Sequence, residues 1–325
     1  MNPALETLVF ALRETPLQPG RTLFLGAQYH PDLPESLGYQ PLKPLAEACL
    51  SAGMELTDQP AGKFTNIIFL PGKSKEETLA GYALAHDLLI PGGTFITALS
   101  NTSGASRFEK ELRRATPIIA SVSKNKCRAF TASNTEAWNE DILRSWQEIA
   151  QPSPISGTDF ITRPGVFSAS RIDPGSELLA KFLPPSLHGQ VADLGAGWGY
   201  LSRIALEKSP KISAIHLFEA DSRSLSCARE NLPTGKAAFH WHDVTTGLPE
   251  KYDHIITNPP FHSAQSKDLD LGKAFISTAV SSLKRGGSLY LVANRQLPYE
   301  AHLSSLGLRS RPIFEDHAYK IIFSS

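Results

Sequence analysis

The stretch VADLGAGWGYLS, residues 191–202, decides the fold. It indicates an apolar strand, then a loop with Gly195, Gly197 and Gly199, then a helix. Glycine lets such a loop turn tightly and lets a ligand approach the backbone without a Cβ in the way. The spacing is G-x-G-x-G, whereas dinucleotide folds use G-x-G-x-x-G, so a pyrophosphate is not the expected occupant. The stretch predicts a strand–loop–helix ligand site at the edge of an α/β sheet.

Downstream of this loop, predicted strands alternate with predicted helices. The stretch LDLGKAFISTAVSSLKRGG predicts a helix that ends at Gly286 and Gly287. Such alternation is typical of a parallel, doubly wound sheet, and the short join between RSRPIFED and AYKIIFSS predicts an antiparallel last hairpin. The strands are expected in QVADLGAG (190–197), AIHLFEAD (214–221), AAFHWHD, YDHIITNPP (252–260) and SLYLVAN (288–294).

The first half repeats this pattern more faintly. LIPGGTFITALSN (89–101) matches LKRGGSLYLVANR (283–295), and FTNIIFLPG (64–72) matches YDHIITNPP. We interpret the matches as a duplicated α/β domain, although chance similarity between two α/β units would also produce them. The turn-rich region 134–165 is where the boundary is expected, and we place the domains at 1–155 and 156–325.

Composition narrows the class of protein. The chain has 325 residues, 32 Lys+Arg against 32 Asp+Glu, and 41% hydrophobic residues, as expected for two globular domains and not for a disordered chain or a coiled coil. It has no apolar run of about 18 residues, so we expect no membrane span. Its N-terminus has no basic region and no small-residue cleavage site, so we expect no signal peptide. The separated cysteines Cys49, Cys127 and Cys227 favour a reducing cytoplasm. We expect no metal site, and the neutral net charge leaves room only for a local basic patch.

Acidic residues follow three consecutive predicted strands, as Asp193, Glu219 and Asp243. Asp193 would repel a phosphate and suits a cationic amine, whereas Glu219 stands where an acid usually accepts hydrogen bonds from a ribose diol. Asp243 could accept from an exocyclic amine. The alternative is that the glycines only shape turns and the acids only cap helices. Taken together, a diol, an amine-bearing carboxylate and an adenine fit S-adenosylmethionine best.

The sequence Asn258-Pro259-Pro260-Phe261 comes directly after the fourth predicted strand. An exocyclic amine must be oriented for methyl transfer, because its lone pair is delocalised into the ring. The Asn carboxamide oxygen and a Pro carbonyl could both accept hydrogen bonds from it, and Phe261 offers a face for stacking. We rate His262 as a turn or substrate contact first and as a base second. The alternative is a simple strand stop, since Asn-Pro-Pro ends strands well.

These motifs carry a resemblance. PGVFSASRIDPGSELL (164–179), VADLGAGWGYLS, NPPFH and VANRQLPY (292–299) resemble the class I, S-adenosylmethionine-dependent rRNA guanine-N2 methyltransferases of the bacterial RsmC and RlmG type. The resemblance implies two tandem Rossmann-like methyltransferase domains, the second a seven-stranded doubly wound sheet with an antiparallel last hairpin and the first degenerate. It implies cofactor contacts at Asp193, Gly195, Ala196, Gly197, Gly199, Glu219, Ala220, Asp243, Val244 and Asn258, catalysis by Asn258, Pro259, Pro260 and Phe261, and substrate contacts at Phe167, Phe261, His262 and Arg295.

Two loop residues depart from the family pattern. Ala196 replaces the more usual cysteine, which should leave the backbone geometry intact, and Trp198 is a bulky residue that we expect beside the cofactor.

The first domain is expected to be an inactive copy. In FLGAQYHPDL (24–33), Gln28, Tyr29 and His30 stand where the active loop is small, and FTNIIFLPGK lacks N-P-P-F. This domain could hold RNA through a basic cluster, or these cations could form a solvated face with Glu–Arg pairs, or the domain could only support its neighbour. The cluster is Arg107, Lys110, Arg113, Arg114, Lys124, Lys126 and Arg128.

The resemblance favours an enzyme that methylates guanine N2 in ribosomal RNA or a ribosomal subunit, with the small-subunit RNA ahead of the large-subunit RNA. We expect the enzyme to be a monomer. One alternative keeps the chemistry and acts on adenine-N6 in DNA or on a protein glutamine. Another is a non-catalytic RNA-binding assembly factor that has kept a cofactor site.

Overall fold

A computed structural model describes residues 2–232, 235–260 and 266–325, with only the backbone described for 266–268. The chain divides into two compact units, one ending at Pro152 and the other running from Ser153 to Ser325. Each unit is built on one large sheet, of six strands in the first and seven in the second.

The N-terminal unit has the strand order β2-β1-β3-β4-β6-β5, in which β6 runs antiparallel to both of its neighbours. Its strands are β1 (Thr22–Leu25), β2 (Leu37–Tyr39), β3 (Phe64–Phe69), β4 (Leu89–Ser100), β5 (Ile118–Lys124) and β6 (Cys127–Ser133). Its helices are α1 (Pro3–Glu14), α2 (Lys43–Ser51), α3 (Lys75–Leu88), α4 (Ala105–Ala115) and α5 (Glu140–Ala150).

Both faces of this first sheet are covered. Leu23 and Ile67 belong to one buried apolar cluster, whereas their chain neighbours Phe24 and Ile68 belong to another. Because successive strand residues point to opposite faces, the two clusters lie on opposite sides of the sheet. This explains the apolar runs LFL in β1 and IIF in β3, since parallel strands are usually buried on both faces.

The C-terminal unit has the strand order β11-β10-β9-β12-β13-β15-β14, with β15 antiparallel to β13 and β14. It begins with a small hairpin of β7 (Ser153–Pro154) and β8 (Ile161–Thr162). The large sheet consists of β9 (Gly189–Leu194), β10 (Ile212–Glu219), β11 (Ala237–Trp241), β12 (Tyr252–Thr257), β13 (Leu283–Asn294), β14 (Ser310–Glu315) and β15 (Tyr319–Ser324). The helices are α6 (Pro174–Phe182), α7 (Tyr200–Lys208), α8 (Ser222–Asn231), α9 (Ser266–Ser281) and α10 (Tyr299–Ser305). The predicted doubly wound sheet with an antiparallel last hairpin is confirmed.

The two sheets share an irregularity that supports the predicted duplication. In the first unit β3 pairs with β4 at Phe64↔Leu89, and after a register shift the pairing resumes at Asn66↔Thr94. In the second unit β12 pairs with β13 at Tyr252↔Leu283 and resumes, after the same shift, at His254↔Ser288. Two unrelated α/β units would have no reason to break register at the same place.

This irregularity also corrects one prediction. The helix expected to end at Gly286 and Gly287 ends at Ser281, and both glycines belong to β13. Gly286 has a φ of 79° and Gly92, its counterpart in the first unit, has a φ of 77°. Glycine adopts this left-handed conformation without strain, so here it permits a bulge within a strand and does not terminate a helix.

The first unit is the simpler of the two. In the second sheet, β11 is the edge strand beside β10. At the corresponding edge of the first sheet, the described residues form no such strand, and Gly38 of β2 makes a single parallel bridge with Leu56. Residues 26–36, between β1 and β2, contain no helix, whereas α7 connects β9 to β10. Among the described residues of both units, no helix is long and apolar enough to cross a membrane.

Candidate active site at the carboxyl edge of the second sheet

The glycine-rich loop after β9 is held against β10. The N–H groups of Gly195 and Ala196 both donate to the carbonyl of Phe218, at 2.9 and 3.1 Å. A Cβ on Gly199 would lie 2.3 Å from Leu232, so this glycine allows the loop to pack against the chain after α8. Gly197 has a φ of 55°, and no atom of the described residues lies within 4 Å of the position that a Cβ would take. The loop is thus packed at Gly199 and open at Gly197, where a ligand could approach the backbone.

Asp193, the penultimate residue of β9, has a fully buried side chain. Its Oδ2 accepts a 2.7 Å hydrogen bond from the Ser202 hydroxyl, but its Oδ1 is buried without a partner among the described residues. Burial raises the pKa of Asp193 to about 7, and the Ser202 bond only partly offsets this. A buried acceptor without a donor is costly, so this oxygen fits a ligand that supplies a positively charged donor.

Glu219 is the last residue of β10 and lies beside the same loop. Its Oε2 accepts from the N–H of Gly197 and its Oε1 from the N–H of Asp221, both at 2.8 Å. Burial raises the pKa of Glu219 to about 7 as well. The two backbone donors fix the direction of this carboxylate beside the open part of the loop.

Asp243 follows the end of β11 and caps a short 3-10 turn, Val244–Thr246. Its Oδ1 accepts from the backbone N–H and the hydroxyl of Thr245, at 2.9 and 2.7 Å. The capping alternative therefore holds for one oxygen of this residue. Val244 is buried, and the carbonyl of Ala220 accepts a 2.8 Å hydrogen bond from the Trp241 indole. The cofactor contacts expected of Ala220, Asp243 and Val244 stay predictions.

The Asn-Pro-Pro turn adjoins the glycine-rich loop. The hydroxyl of Thr257, the last residue of β12, donates to the carbonyl of Leu194 at 2.8 Å and ties the ends of the two strands together. The carbonyl of Asn258 lies 4.0 Å from the position that a Cβ on Gly195 would take. Pro259 is buried and Pro260 half-buried.

The side-chain amide of Asn258 points toward the N-terminus of α6. Its Nδ2 donates to Asp173 Oδ2 and to Ser176 Oγ, both at 2.8 Å. The predicted catalytic Phe261 and the predicted substrate contact His262 lie outside the described residues.

The side chain of Trp198, within the glycine-rich loop, is buried in a small apolar cluster with Phe160, Val166 and Cys227. Burial of this large apolar surface accounts for the direction of the side chain. Its place beside the cofactor stays a prediction. Its indole N–H donates to the carbonyl of Phe167 at 3.0 Å. Trp198 thus anchors the segment that holds Phe167, whose side chain is 49% exposed.

Arg295, the last predicted substrate contact, directly follows β13. Its Nε donates to Glu315 at 2.7 Å, and both side chains are largely exposed. This position is at the carboxyl end of the strand, but the ion pair gives it a surface partner within the last hairpin.

Three residues that contact the site were not predicted from the sequence: Asp173, Ser176 and Ser202. Asp173 before Pro174 is a typical helix-capping pattern, so its cap was detectable. Its contact with Asn258 joins positions 85 residues apart, and no local pattern reports such a contact.

The first unit keeps the geometry of the loop without its chemistry. The N–H groups of Gly26 and Ala27 both donate to the carbonyl of Tyr39, at 2.9 and 3.0 Å, as their counterparts do to Phe218. When Gly26 is aligned with Gly195, Phe24 takes the place of Asp193. When FTNIIFLPG is aligned with YDHIITNPP, Leu70 takes the place of Asn258. Gln40 takes the place of Glu219 and donates to the carbonyl of Ala27 at 2.7 Å. These replacements remove both carboxylates and the amide.

Comparison with known proteins identifies the family. The family model described as the methyltransferase small domain matches residues 157–323, just over half of the chain. A ribosomal RNA small subunit methyltransferase C from Psychromonas ingrahamii is 30% identical over 261 residues, which cover 79% of this chain and 74% of that protein. The chain belongs to the ribosomal RNA small subunit methyltransferase C family. The resemblance inferred from the motifs is confirmed.

Other methyltransferase C proteins match over shorter stretches. The Alteromonas mediterranea protein is 37% identical over 46% of this chain and 42% of its own length. An Escherichia coli protein is 33% identical over 65% of this chain and 61% of its own length. These two matches therefore span less than two thirds of the relatives.

A solved methyltransferase C structure has the same fold over both units. It is the T. thermophilus 16S rRNA N2 G1207 methyltransferase in complex with AdoMet and guanosine, with a TM-score of 0.79 and 22% identity, covering 100% of this chain and 92% of that one. The tandem arrangement of two α/β units is thus an established architecture for methyltransferase C. In the part of our chain that the structure describes, no group of three or more His, Cys, Asp or Glu side chains could hold a metal ion.

Proposed function

We propose that the C-terminal unit transfers a methyl group from S-adenosylmethionine to the exocyclic N2 amine of a guanine in small-subunit ribosomal RNA. One observation carries the proposal: the Asn-Pro-Pro turn adjoins a glycine-rich loop beside a buried carboxylate whose Oδ1 has no partner in the described part of the chain. Membership of the methyltransferase C family supports the substrate class. A monomer acting in the cytoplasm is part of the same proposal, in keeping with three free, buried cysteines.

The residues present fit the cofactor. Asp193 Oδ1, for which the described residues provide no hydrogen-bond donor, suits its amine, and the oriented carboxylate of Glu219 suits its ribose hydroxyls. The open space at Gly197 admits a ligand close to the backbone. When bound, S-adenosylmethionine supplies an activated methyl group with a neutral leaving group.

The Asn-Pro-Pro turn then has to bind and orient the guanine amine. Asn258 uses both amide hydrogens on Asp173 and Ser176, which leaves Oδ1 as its acceptor for the substrate. Proline removes backbone donors, so the turn presents carbonyl oxygens in a stiff arrangement. Two acceptors on the amine favour an sp3-like nitrogen and so stabilise the transition state more than the ground state. The product nitrogen can lose its extra proton to water.

The raised carboxyl pKa values predict that cofactor affinity increases with pH. The pKa values of Asp193 and Glu219 are both about 7, and a cationic ligand favours the ionised carboxylates, so the affinity should rise between about pH 6 and pH 8. At pH 7 binding should release protons, measurable by titration calorimetry in two buffers of different ionisation enthalpy. Equal heats in both buffers, with an affinity that does not depend on pH, would contradict this assignment.

The same shifts have the opposite effect on the stability of the free protein. Between about pH 4 and about pH 7 the unfolded carboxyls are ionised while the native ones still hold their protons. Folding then binds protons, so the contribution of these two groups to stability falls as the pH rises through this window.

We propose that the first unit contributes to holding RNA. Within the predicted basic cluster, Glu109 pairs with Arg113 and Arg128, and Glu111 pairs with Arg114. Lys124 lies over the ring of Phe10. The cations that stay exposed outside these contacts are Arg107, Lys110 and Lys126. The Glu–Arg alternative thus accounts for part of the cluster, and the proposal rests on the remaining three residues.

Reversing two of these charges should weaken RNA binding. The double variant Arg107→Glu/Lys110→Glu should lower the affinity for ribosomal RNA, and each lost phosphate contact should reduce the slope of log K against log[salt] by about 1. The double variant Lys75→Glu/Arg144→Glu makes the same charge change at exposed positions on α3 and α5 and serves as the control. If both variants bind RNA equally well, the exposed cations of α4 do not hold the substrate.

The proposed function is tested by mass spectrometry of nucleosides from ribosomal RNA. The small-subunit RNA of a strain deleted for this gene should contain less N2-methylguanosine than that of its parent, and the wild-type gene should restore the content while an Asn258→Ala gene does not. An unchanged N2-methylguanosine content together with loss of N6-methyladenosine would instead favour the adenine alternative.

A further inference from the structure

We propose that Asp173 is a positioning residue for methyl transfer, which aims and polarises the amide of Asn258. The inference rests on the proposed role of Asn258 as the acceptor for the substrate amine. It assigns a task to a residue of α6 that lies outside both the glycine-rich loop and the Asn-Pro-Pro turn.

The direction of the Asn258 amide follows from the chemistry of its partners. Both hydrogens of its Nδ2 are taken, one by Asp173 Oδ2 and one by Ser176 Oγ, each at 2.8 Å. An ionised carboxylate can only accept hydrogen bonds. Reversing the amide would therefore place its oxygen against a carboxylate oxygen and forfeit the bond to Asp173. Asp173 thus excludes the orientation in which Asn258 would present a donor to an amine.

Asp173 is itself held rigidly. It is the N-cap of α6, and the oxygen that binds Asn258 also accepts a 2.8 Å hydrogen bond from the N–H of Ser176. A Cβ on Gly175 would lie 3.1 Å from this oxygen and 3.4 Å from the ring of Tyr319. Because the helix N-terminus favours a negative charge, the site stabilises Asp173 as an acceptor. The carboxylate is thereby fixed at one end of the Asn258 amide.

The charge of Asp173 adds to this geometric effect. The attacking nitrogen becomes positive in the transition state, and Asn258 Oδ1 would accept a hydrogen bond from it. A carboxylate on the other side of the same amide draws the N–H groups toward itself and increases the negative charge on Oδ1, since successive hydrogen bonds polarise one another. The chain of carboxylate, amide and amine therefore strengthens as the reaction proceeds, which is what a contribution to catalysis requires.

The variant Asp173→Asn separates this role from helix capping. Asparagine is as good an N-cap as aspartate, but it carries no charge and can present its own NH2 to Asn258. We expect kcat to fall ~10- to 100-fold, as for loss of an oriented electrostatic contact, with the cofactor Kd and the Tm little changed. Glu177→Gln removes a charge from an exposed residue in the first turn of the same helix and is the matched control, expected to retain wild-type kcat.

A double-mutant cycle with Asn258→Ala decides whether Asp173 acts through Asn258. If it does, Asp173→Asn should lower kcat in the wild-type background but cause no further loss in the Asn258→Ala background. Equal losses in both backgrounds, or no loss in the wild-type background, would overturn the proposal.

A measurement without turnover keeps this inference distinct from the proposed function. In protein labelled with ¹⁵N-asparagine, the side-chain NH2 resonances of Asn258, assigned by their absence in Asn258→Ala, should shift in Asp173→Asn and not in Glu177→Gln. Unshifted resonances in Asp173→Asn would refute the positioning role even in an active enzyme. A shift in a protein that forms no N2-methylguanosine would show that Asp173 positions the Asn258 amide and would refute guanine N2 as the substrate.

Discussion

Replacing Asn258 by alanine is expected to lower kcat roughly 10²- to 10³-fold, the range seen when one oriented hydrogen-bonding group is removed from an active site. Asn258 is half-buried, and its amide contacts two polar residues at the N-terminal end of α6. Its loss leaves Asp173 and Ser176 accessible to water, so the fold should tolerate the change. Single-turnover methyl transfer and calorimetric binding of the cofactor would measure the two effects separately.

The variant Asn258→Asp is a sharper form of the same experiment. A carboxylate oxygen would then replace the amide nitrogen that now lies 2.8 Å from Asp173 Oδ2. Two like charges at that distance cannot both persist, so one must bind a proton or the side chain must turn away. We expect activity as low as in Asn258→Ala, with cofactor binding retained. Turnover equal to that of the wild type in either variant would refute the orienting role of Asn258.

The second large effect is expected at Asp193, where affinity and stability should change in opposite directions. Asp193→Asn preserves shape and can still accept from Ser202, but it removes the charge meant for the cofactor amine. Loss of a charged hydrogen bond predicts a cofactor Kd weaker by roughly 10- to 100-fold. Because burial raises the pKa of this carboxyl to about 7, the free protein at pH 8 should gain stability from the substitution.

Asp253 provides the matched control for Asp193. It lies near the start of β12, and its pKa is lowered, because its bonds to Lys284 and to the N–H of Gln190 outweigh the opposing effect of burial. Asp253→Asn should therefore lower the Tm and leave the cofactor affinity unchanged. An Asp193→Asn protein that binds the cofactor like the wild type, or that has a lower Tm at pH 8, would contradict the assignment.

The sequence alone predicts those site residues that lie at the ends of strands. The positions of Asp193, Glu219 and Asn258 follow from the order of three apolar runs, because parallel strands bring their carboxyl ends to one edge. The sequence does not distinguish the bulge at Gly286 from a helix end, because a glycine after a helical pattern has the same local appearance in both cases.

Contacts between distant segments were beyond sequence reasoning. Trp198 stands inside the glycine-rich loop, yet its side chain is buried with Phe160 and Val166, which precede Trp198 by more than thirty residues. The bond from Asn258 to Asp173 depends in the same way on how α6 packs beside β13 and β15. Local patterns specify elements and their order, whereas side-chain partners depend on the packing of those elements.

The first unit shows how a binding fold loses a ligand while it keeps its shape. Gly26 retains a φ of 70°, against 69° for Gly195, because the turn requires this backbone conformation with or without a ligand. Phe24 and Leu70 replace the polar groups with apolar ones. We expect this unit to bind no S-adenosylmethionine, in line with the prediction that it is degenerate.

A crystal structure of the protein with S-adenosylmethionine, or its demethylated product, and guanosine would test the central claim most directly. We predict the cofactor amine within hydrogen-bonding distance of Asp193 Oδ1, and the guanine N2 within hydrogen-bonding distance of Asn258 Oδ1. A cofactor bound away from the glycine-rich loop, or an Asn258 oxygen directed away from the base, would contradict the account.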